Sequence, residues 1–324
     1  MAVYTKINDR ELQAFLSRYQ LGECLEVSEI AEGVENSNYR LRTEHGCFIL
    51  TIFEQRVTHE DLPFFMDLMG FLSIEGICCP VPIVARDGQS VGQLGGKPAA
   101  VLSHLPGTSI YAPNPGHCSL IGSLLADVHN AGLNFSRGRS NSLALKDWPI
   151  LLKQIGSNGE LVLPGITADL KDEIQYLSRH WPEGLPQGII HGDLFPDNVL
   201  FFDGEISGVI DFYFSCRDFL VYDLSVCLNA WAFDFNGEFN RGRSEALIKG
   251  YCNKRVLTGD EYELLPILCR GSALRFLLTR LYDHINVPVA MIGTTKDPLE
   301  YYKKLLFHRN VTGAADYGYF YKNG

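Results

Sequence analysis

The chain has 324 residues, 28 of them basic and 38 acidic, for a formal charge of −10, and 46% are hydrophobic. That much apolar material builds a sizeable core and excludes a disordered chain, while the acidic balance argues against an extended nucleic-acid or anionic-membrane surface. No stretch approaches the length of an uncharged membrane span: the most apolar, residues 264–281, is broken by Arg270, Arg275 and Arg280. Met1 to Gln20 carries Lys6, Asp9, Arg10 and Glu11 and no apolar signal region. The nine cysteines form no CxxC pair, so reduced thiols in a cytoplasmic enzyme are expected rather than a disulfide framework or a zinc site.

In chain order, Asn8 reads as an N-cap opening a helix to about Tyr19. Strand-like runs follow at residues 25–31, 37–43 and 47–53, and a helical pattern at residues 58–74 places Leu62, Phe65, Leu68, Met69 and Leu72 on one face. Extended pieces are expected at 81–84, 90–94 and 98–102. Ser103-His104-Leu105-Pro106-Gly107 then marks a connection, after which the chain becomes mostly helical: 115–131, 144–155, 167–180, 221–232, 244–253, 260–283 and 298–308. The expected organisation is residues 1–102, a hinge at 103–107, and residues 108–324.

One β-like island, residues 188–211, interrupts the helices. It contains His191-Gly192-Asp193, then Asn198, a hairpin with an Asp203-Gly204 turn, and Asp211 at the end of the second strand. Phosphoryl transfer to a hydroxyl needs a carboxylate that orients or accepts the hydroxyl proton, and oxygen ligands that hold Mg²⁺ against the phosphates. Asp193 suits the first role. Asn198 and Asp211 suit the second, the five-residue step and the hairpin being expected to present all three together. The order matches the H-R-D-L-x-x-x-N loop and downstream D-F-G of kinases.

With these residues the chain resembles the aminoglycoside phosphotransferase and choline kinase group of protein-kinase-like small-molecule kinases, whose loop carries a small residue where Gly192 stands. The blocks at residues 35–39, 48–51, 61–65, 191–195, 208–214, 223–231, 270–276 and 296–301 resemble bacterial homoserine kinases of that type. The resemblance implies an α+β, bilobal protein-kinase-like fold, with a small antiparallel-sheet N-lobe that binds nucleotide and a mostly helical C-lobe that holds the acceptor. It implies ATP and Mg²⁺ as cofactors, and phosphorylation of L-homoserine to O-phospho-L-homoserine in threonine biosynthesis. Asp193 becomes the base, Asn198 and Asp211 the metal ligands. Gly33, Asn36, Ser37 and Asn38 fall on the turn covering the phosphates, and Ser103 and Leu105 fall where such kinases hold adenine.

One position departs from the pattern. The third-strand lysine of kinases is replaced by Thr51, which either contacts phosphate, with Arg40 or Arg42 supplying charge, or packs and hydrogen-bonds locally. His191 is a second candidate base or a brace for its loop, and Asp197 a local cap. Arg270 and Arg275, on an otherwise apolar helix with Arg280, either pair with buried acids such as Asp223 or Asp283 or bind the acceptor's carboxylate. Asp193 or Asp218 is available to a substrate amino group, and Tyr213 either lines the acceptor pocket or packs. His117 and His129 read as surface or packing residues, and the aromatic tail from Tyr317 as a docking segment. Another small hydroxyl compound as acceptor (an aminoglycoside, choline or a methylthio-sugar), and a catalytically inactive kinase-like module, are the alternative readings.

Overall fold

The computed structural model describes residues 5–30, 36–54, 57–286 and 296–320. The chain divides into two units that are discontinuous in sequence: Met1–Ser109 with Phe135–Arg139 and Val199–Tyr213, and Ile110–Asn134 with Ser140–Asn198 and Phe214–Gly324.

The first unit is a five-stranded antiparallel sheet, β1 (Cys24–Ile30), β2 (Ser37–Thr43), β3 (Gly46–Ile52), β4 (Val91–Leu94) and β5 (Lys97–Ser103), in the order β1-β2-β3-β5-β4. Period-two alternation sorts its faces. Tyr39, Leu41, Leu50, Ile52, Ala99 and Val101 form a core with Leu12 and Phe15 of α1 (Asp9–Leu16). Asn38, Arg40 and Arg42 alternate with those core positions on β2, and Asn38 pairs in register with Thr51. Helix α2 (Leu62–Ile74) buries Leu62, Phe65, Leu68, Met69 and Leu72, the face its spacing predicts.

Three expectations shift here. The first helix stops at Leu16 instead of reaching Tyr19. The second begins at Leu62 rather than 58, after a turn at 59–61. Residues 81–84 form only an isolated bridge, Pro82 with Leu102, because Pro80 and Pro82 have no N–H to give a ladder. The expected Asp203-Gly204 hairpin is present as β7 (Val199–Phe202) and β8 (Glu205–Val209).

The second unit is helical: α3 (Pro115–Gly132), α4 (Trp148–Ile155), α5 (Ile166–His180), α6 (Leu220–Trp231), α7 (Arg241–Cys252), α8 (Gly259–Asn286) and α9 (Pro298–Arg309). Residues 145–147, expected within α4, form a separate 3₁₀ turn. Residue His117 completes a capping box with Asn114 at the start of α3. Helix α6 is apolar on all sides and correspondingly buried, down to Asp223 and Asn229 at 0% exposure. A two-stranded antiparallel ladder that the sequence pattern does not announce, β6 (Gln187–Ile190) with β9 (Cys216–Phe219), carries the loop that follows Ile190. No described helix is long and apolar enough to cross a membrane.

Candidate active site

The loop at 191–198 is a tight structure. Phe195 N donates to Asp193 O at 2.8 Å and Asn198 N to Phe195 O at 3.0 Å. Gly192 sits at φ +77°, and a Cβ there would lie 3.0 Å from the Phe214 carbonyl oxygen, which explains the small residue between His191 and Asp193. The loop is clamped from below by Asp223, whose carboxylate accepts from the backbone N–H of His191 (2.7 Å) and Gly192 (2.9 Å). Asp223 is also 3.1 Å from His129 Nε2, and the chain of contacts continues through Tyr251 Oη, 2.8 Å from His129 Nδ1, to Arg255 (3.1 Å) and Glu261 (2.8 Å). Burial alone would push the Asp223 carboxyl up; the His129 hydrogen bond and charge, His191 and the Gly192 amide outweigh it and hold the carboxyl below its ordinary value.

Asp193 is held by its neighbour. Asn198 Nδ2 donates to the Asp193 carbonyl (2.7 Å) and to Asp193 Oδ2 (3.1 Å). Both bonds use the Asn198 amide nitrogen, so neither occupies its Oδ1. Arg275 Nη1 lies 3.7 Å from Asp193 Oδ1. Burial raises the Asp193 carboxyl above the usual carboxylate range, against the charges of Arg275 and Lys296 and with that of Asp197. The Asp193 N–H donates to His191 Nδ1 at 3.2 Å, so His191 braces the loop. Behind the loop, Asn141, Gly192, Phe214, Tyr222 and Arg275 line a cavity of about 10 Å³, the size of one water. Asp218 accepts from Asn141 Nδ2 (2.8 Å) and the Phe219 amide (2.7 Å), and burial raises its pKa.

The buried arginines pair with acids other than those expected. Arg270 is gripped by both carboxylate oxygens of Glu173 and stacks on Tyr176, and Arg280 pairs with Glu300 at 2.6 Å. Asp223 is committed instead to the loop amides and His129. Glu300 also takes Lys304 at 2.6 Å; burial pushes its carboxyl up, but these two cations bring it down to about 2. Asp197, read as a local cap, pairs with Lys296 across 99 residues of sequence at 2.7 Å. His129 and Glu173 are the residues that sequence reasoning missed; His129 at helical spacing on an apolar face looks the same whether it packs or braces.

In the first unit a second group forms around Thr51. It is 2% exposed and donates from Oγ1 to Asn38 Oδ1 at 2.8 Å. The hydroxyl pKa of Tyr213 is raised by burial first and then by the charge of Asp211, with Thr51 acting in the other direction. Tyr213 packs edge-on against Phe53 (5.2 Å) and Phe65 (5.7 Å). Asp211 closes the hairpin at φ +65°, a backbone region that a non-glycine residue rarely occupies. Asn36 Oδ1 accepts from the Glu54 amide (3.4 Å), and Ser37 Oγ donates to Glu54, which also holds Lys97. Arg42 is taken by Glu26 at 2.9 Å, whereas burial and the charge of Arg40 together hold His104 below the ordinary histidine pKa. The Ser103 N–H donates to Val81 O at 2.9 Å, and Leu105 packs against Gly208. Gly33 lies outside the described residues. Among the described residues no three His, Cys, Asp or Glu side chains cluster as a metal site.

The fold and this loop define a phosphotransferase of the protein-kinase-like kind: the chain belongs to the phosphotransferase enzyme family, whose pattern it matches over residues 26–256. It is similar to the homoserine kinase of Brucella anthropi, 48% identical over 318 residues that cover 98% of each chain. It is likewise 49% identical to the homoserine kinase of Nitrobacter winogradskyi over 318 residues, again 98% of each. In fold it resembles the amicoumacin kinase hAmiN, solved with AMP-PNP, Ca²⁺ and amicoumacin, with a TM-score of 0.70, 17% identity and coverage of 95% of both chains.

Proposed function

We propose that the chain transfers the γ-phosphoryl group of ATP to the hydroxyl of L-homoserine, in the cytoplasm where ATP is supplied. The observation that carries the acceptor is a pair of cations on the 191–198 loop: Arg275, 3.7 Å from Asp193, and Lys296, paired with Asp197 at 2.7 Å. An acceptor with a carboxylate is drawn to such a site. Choline or an aminoglycoside, which are cations, would be repelled by it and would need acids in place of Arg275 and Lys296.

The chemistry assigned to this chain's own groups is limited. Asn198 occupies Asp193 Oδ2, which leaves Oδ1 to receive the acceptor hydroxyl, orient it and take its proton. Arg275 offers a planar fork to the acceptor's carboxylate. His191 and Asp223 keep the loop in place. The backbone of residues 36–38 is assigned to the phosphates and that of 103–105 to adenine. Asn198 and Asp211 are assigned to Mg²⁺ by the chemistry of their side chains, which offer two hard oxygen ligands, the number this ion takes from protein when phosphates and waters complete its shell; the Asn198 Nδ2 is engaged by Asp193, which leaves its Oδ1 for the ion. When bound, the ion offsets charge on the transferred group. Thr51 is assigned to positioning Asn38.

The test is coupled ADP release with homoserine, threonine, serine, choline and an aminoglycoside as acceptors. Homoserine turnover is expected to exceed the others by at least about 10²-fold in kcat/KM, as for a site built around a substrate's charged group; a preference for any other acceptor refutes the assignment. Asp211→Ala is expected to remove Mg²⁺-dependent turnover, and a magnesium titration matching that of the unsubstituted chain would take Asp211 out of the metal site.

A further inference from the structure

We propose that Lys296 is a specificity residue of the acceptor site, leaving Asp197 to bind the acceptor's carboxylate beside Arg275; this rests on the carboxylate-bearing acceptor argued above. Residues 296–301 form one of the blocks that the sequence singles out, and the catalytic chemistry makes no use of them.

The argument runs through which cations have a hand free. On α8 and α9, Arg270 is gripped by Glu173, and Arg280 and Lys304 share Glu300. Those pairs are buried on the cation side, at 15%, 10% and 4% exposure, and moving any one of them would strand a charge. Arg275 is 6% exposed and lies over the Phe276 ring at 3.9 Å and the Phe214 ring at 5.0 Å, so it is fixed. Lys296 differs: its side chain is 47% exposed and its partner Asp197 58% exposed. A pair so open to water is held by at most about 1 kcal/mol and exchanges readily for another anion.

The base of Lys296 is nonetheless anchored. The next residue, Asp297, caps α9 by accepting from the Leu299 amide at 2.9 Å, and its carbonyl accepts from Arg280 at 3.3 Å. The ammonium lies 5.2 Å from the centre of the Phe195 ring, and Phe195 is itself fixed against Phe276 at 4.9 Å. Phe195 is two residues beyond Asp193. A rigid stem, a loosely paired head and a place beside the catalytic carboxylate are the properties of a side chain that turns from a resting partner to a substrate anion. Asp197 then holds the resting position and competes with substrate.

The experiment compares L-homoserine with L-homoserinamide, which keeps the hydroxyl and the ammonium but has no carboxylate. Lys296→Gln is expected to raise KM for homoserine by roughly 10- to 100-fold, the range of a lost charge-assisted hydrogen bond, with KM for the amide unmoved and any change in kcat within about threefold and shared by both acceptors. Lys296→Arg should restore most of the loss. Asp197→Asn, which frees the lysine, should lower KM for homoserine by up to about fivefold. An equal loss on both acceptors, or a fall in kcat at constant KM, would overturn the proposal by showing that Lys296 serves the phosphoryl group or the fold. Homoserine turnover with an unaltered ratio between the two acceptors in Lys296→Gln overturns this proposal alone; absence of homoserine turnover in the unsubstituted chain overturns the acceptor reading and this proposal with it.

Discussion

Asp193→Asn is expected to cut kcat by about 10²–10⁴-fold, the range of a positioned general base, without harming the fold. The two halves of that expectation have one cause. Burial raises the Asp193 carboxyl against the pull of Arg275 and Lys296, so its ionised form is disfavoured in the folded chain. Such a group contributes its full stability below its unfolded pKa, about 4, and loses that contribution as pH rises through the higher folded value. Asparagine carries no charge to bury. At neutral pH the variant should therefore melt at or above the temperature of the parent chain, with the difference vanishing below about pH 4. In the parent, kcat should rise with pH along a limb set above the ordinary carboxylate range. A variant with parental turnover, or one that is less stable at pH 7, contradicts this account. The stabilisation matters as much as the loss of rate, since it marks a group kept for chemistry at the expense of the fold.

Asp223→Ala is expected to lower stability by about 3–5 kcal/mol, the cost of leaving buried partners uncompensated. Three donors converge on that carboxylate at 2.7, 2.9 and 3.1 Å, at 0% exposure. Because the folded pKa of Asp223 is depressed, its contribution is present above about pH 4 and is lost as pH falls through the lower folded value; the gap between parent and variant in urea titrations should shrink in that range. Where the variant is still folded, kcat should fall by about 10²-fold, because the amides of His191 and Gly192 lose the group that sets the Asp193 backbone, and displacements of an ångström carry that penalty. Parental kcat in folded Asp223→Ala would show that the loop holds itself.

What the sequence made legible follows physical locality. The hairpin was announced by Asp203-Gly204, α2 by its apolar spacing, and the hydrogen-bonded group of His191, Asp193 and Asn198 by their spacing, because each depends on residues close in the chain. Partners distant in sequence were not announced. Glu173 meets Arg270 over 97 residues, and His129 meets Asp223 over 94, so nothing local distinguishes the acid that pairs from the acid that faces water. The β6–β9 ladder escaped for a related reason: four-residue strands show no alternation, and their partners lie on either side of the hairpin. At Thr51 the sequence left a phosphate contact and a local hydrogen bond open, and its bond to Asn38 supports the second.

The contacts from Asp223 to Glu261 also bear on how the enzyme matures. The two loop amides reach α6 over 31 and 32 residues, but His129 then joins α3 to α6, and Tyr251 joins α7 to α3 over 122 residues. Such closures come late, since the entropy of ordering the intervening chain must be met before they contribute. On refolding from denaturant, helical signal should therefore return before the capacity to phosphorylate. A nascent chain that has emerged past Asp211 already carries the whole motif, yet it is expected to stay inert until α7, which begins thirty residues further on, has docked on α3.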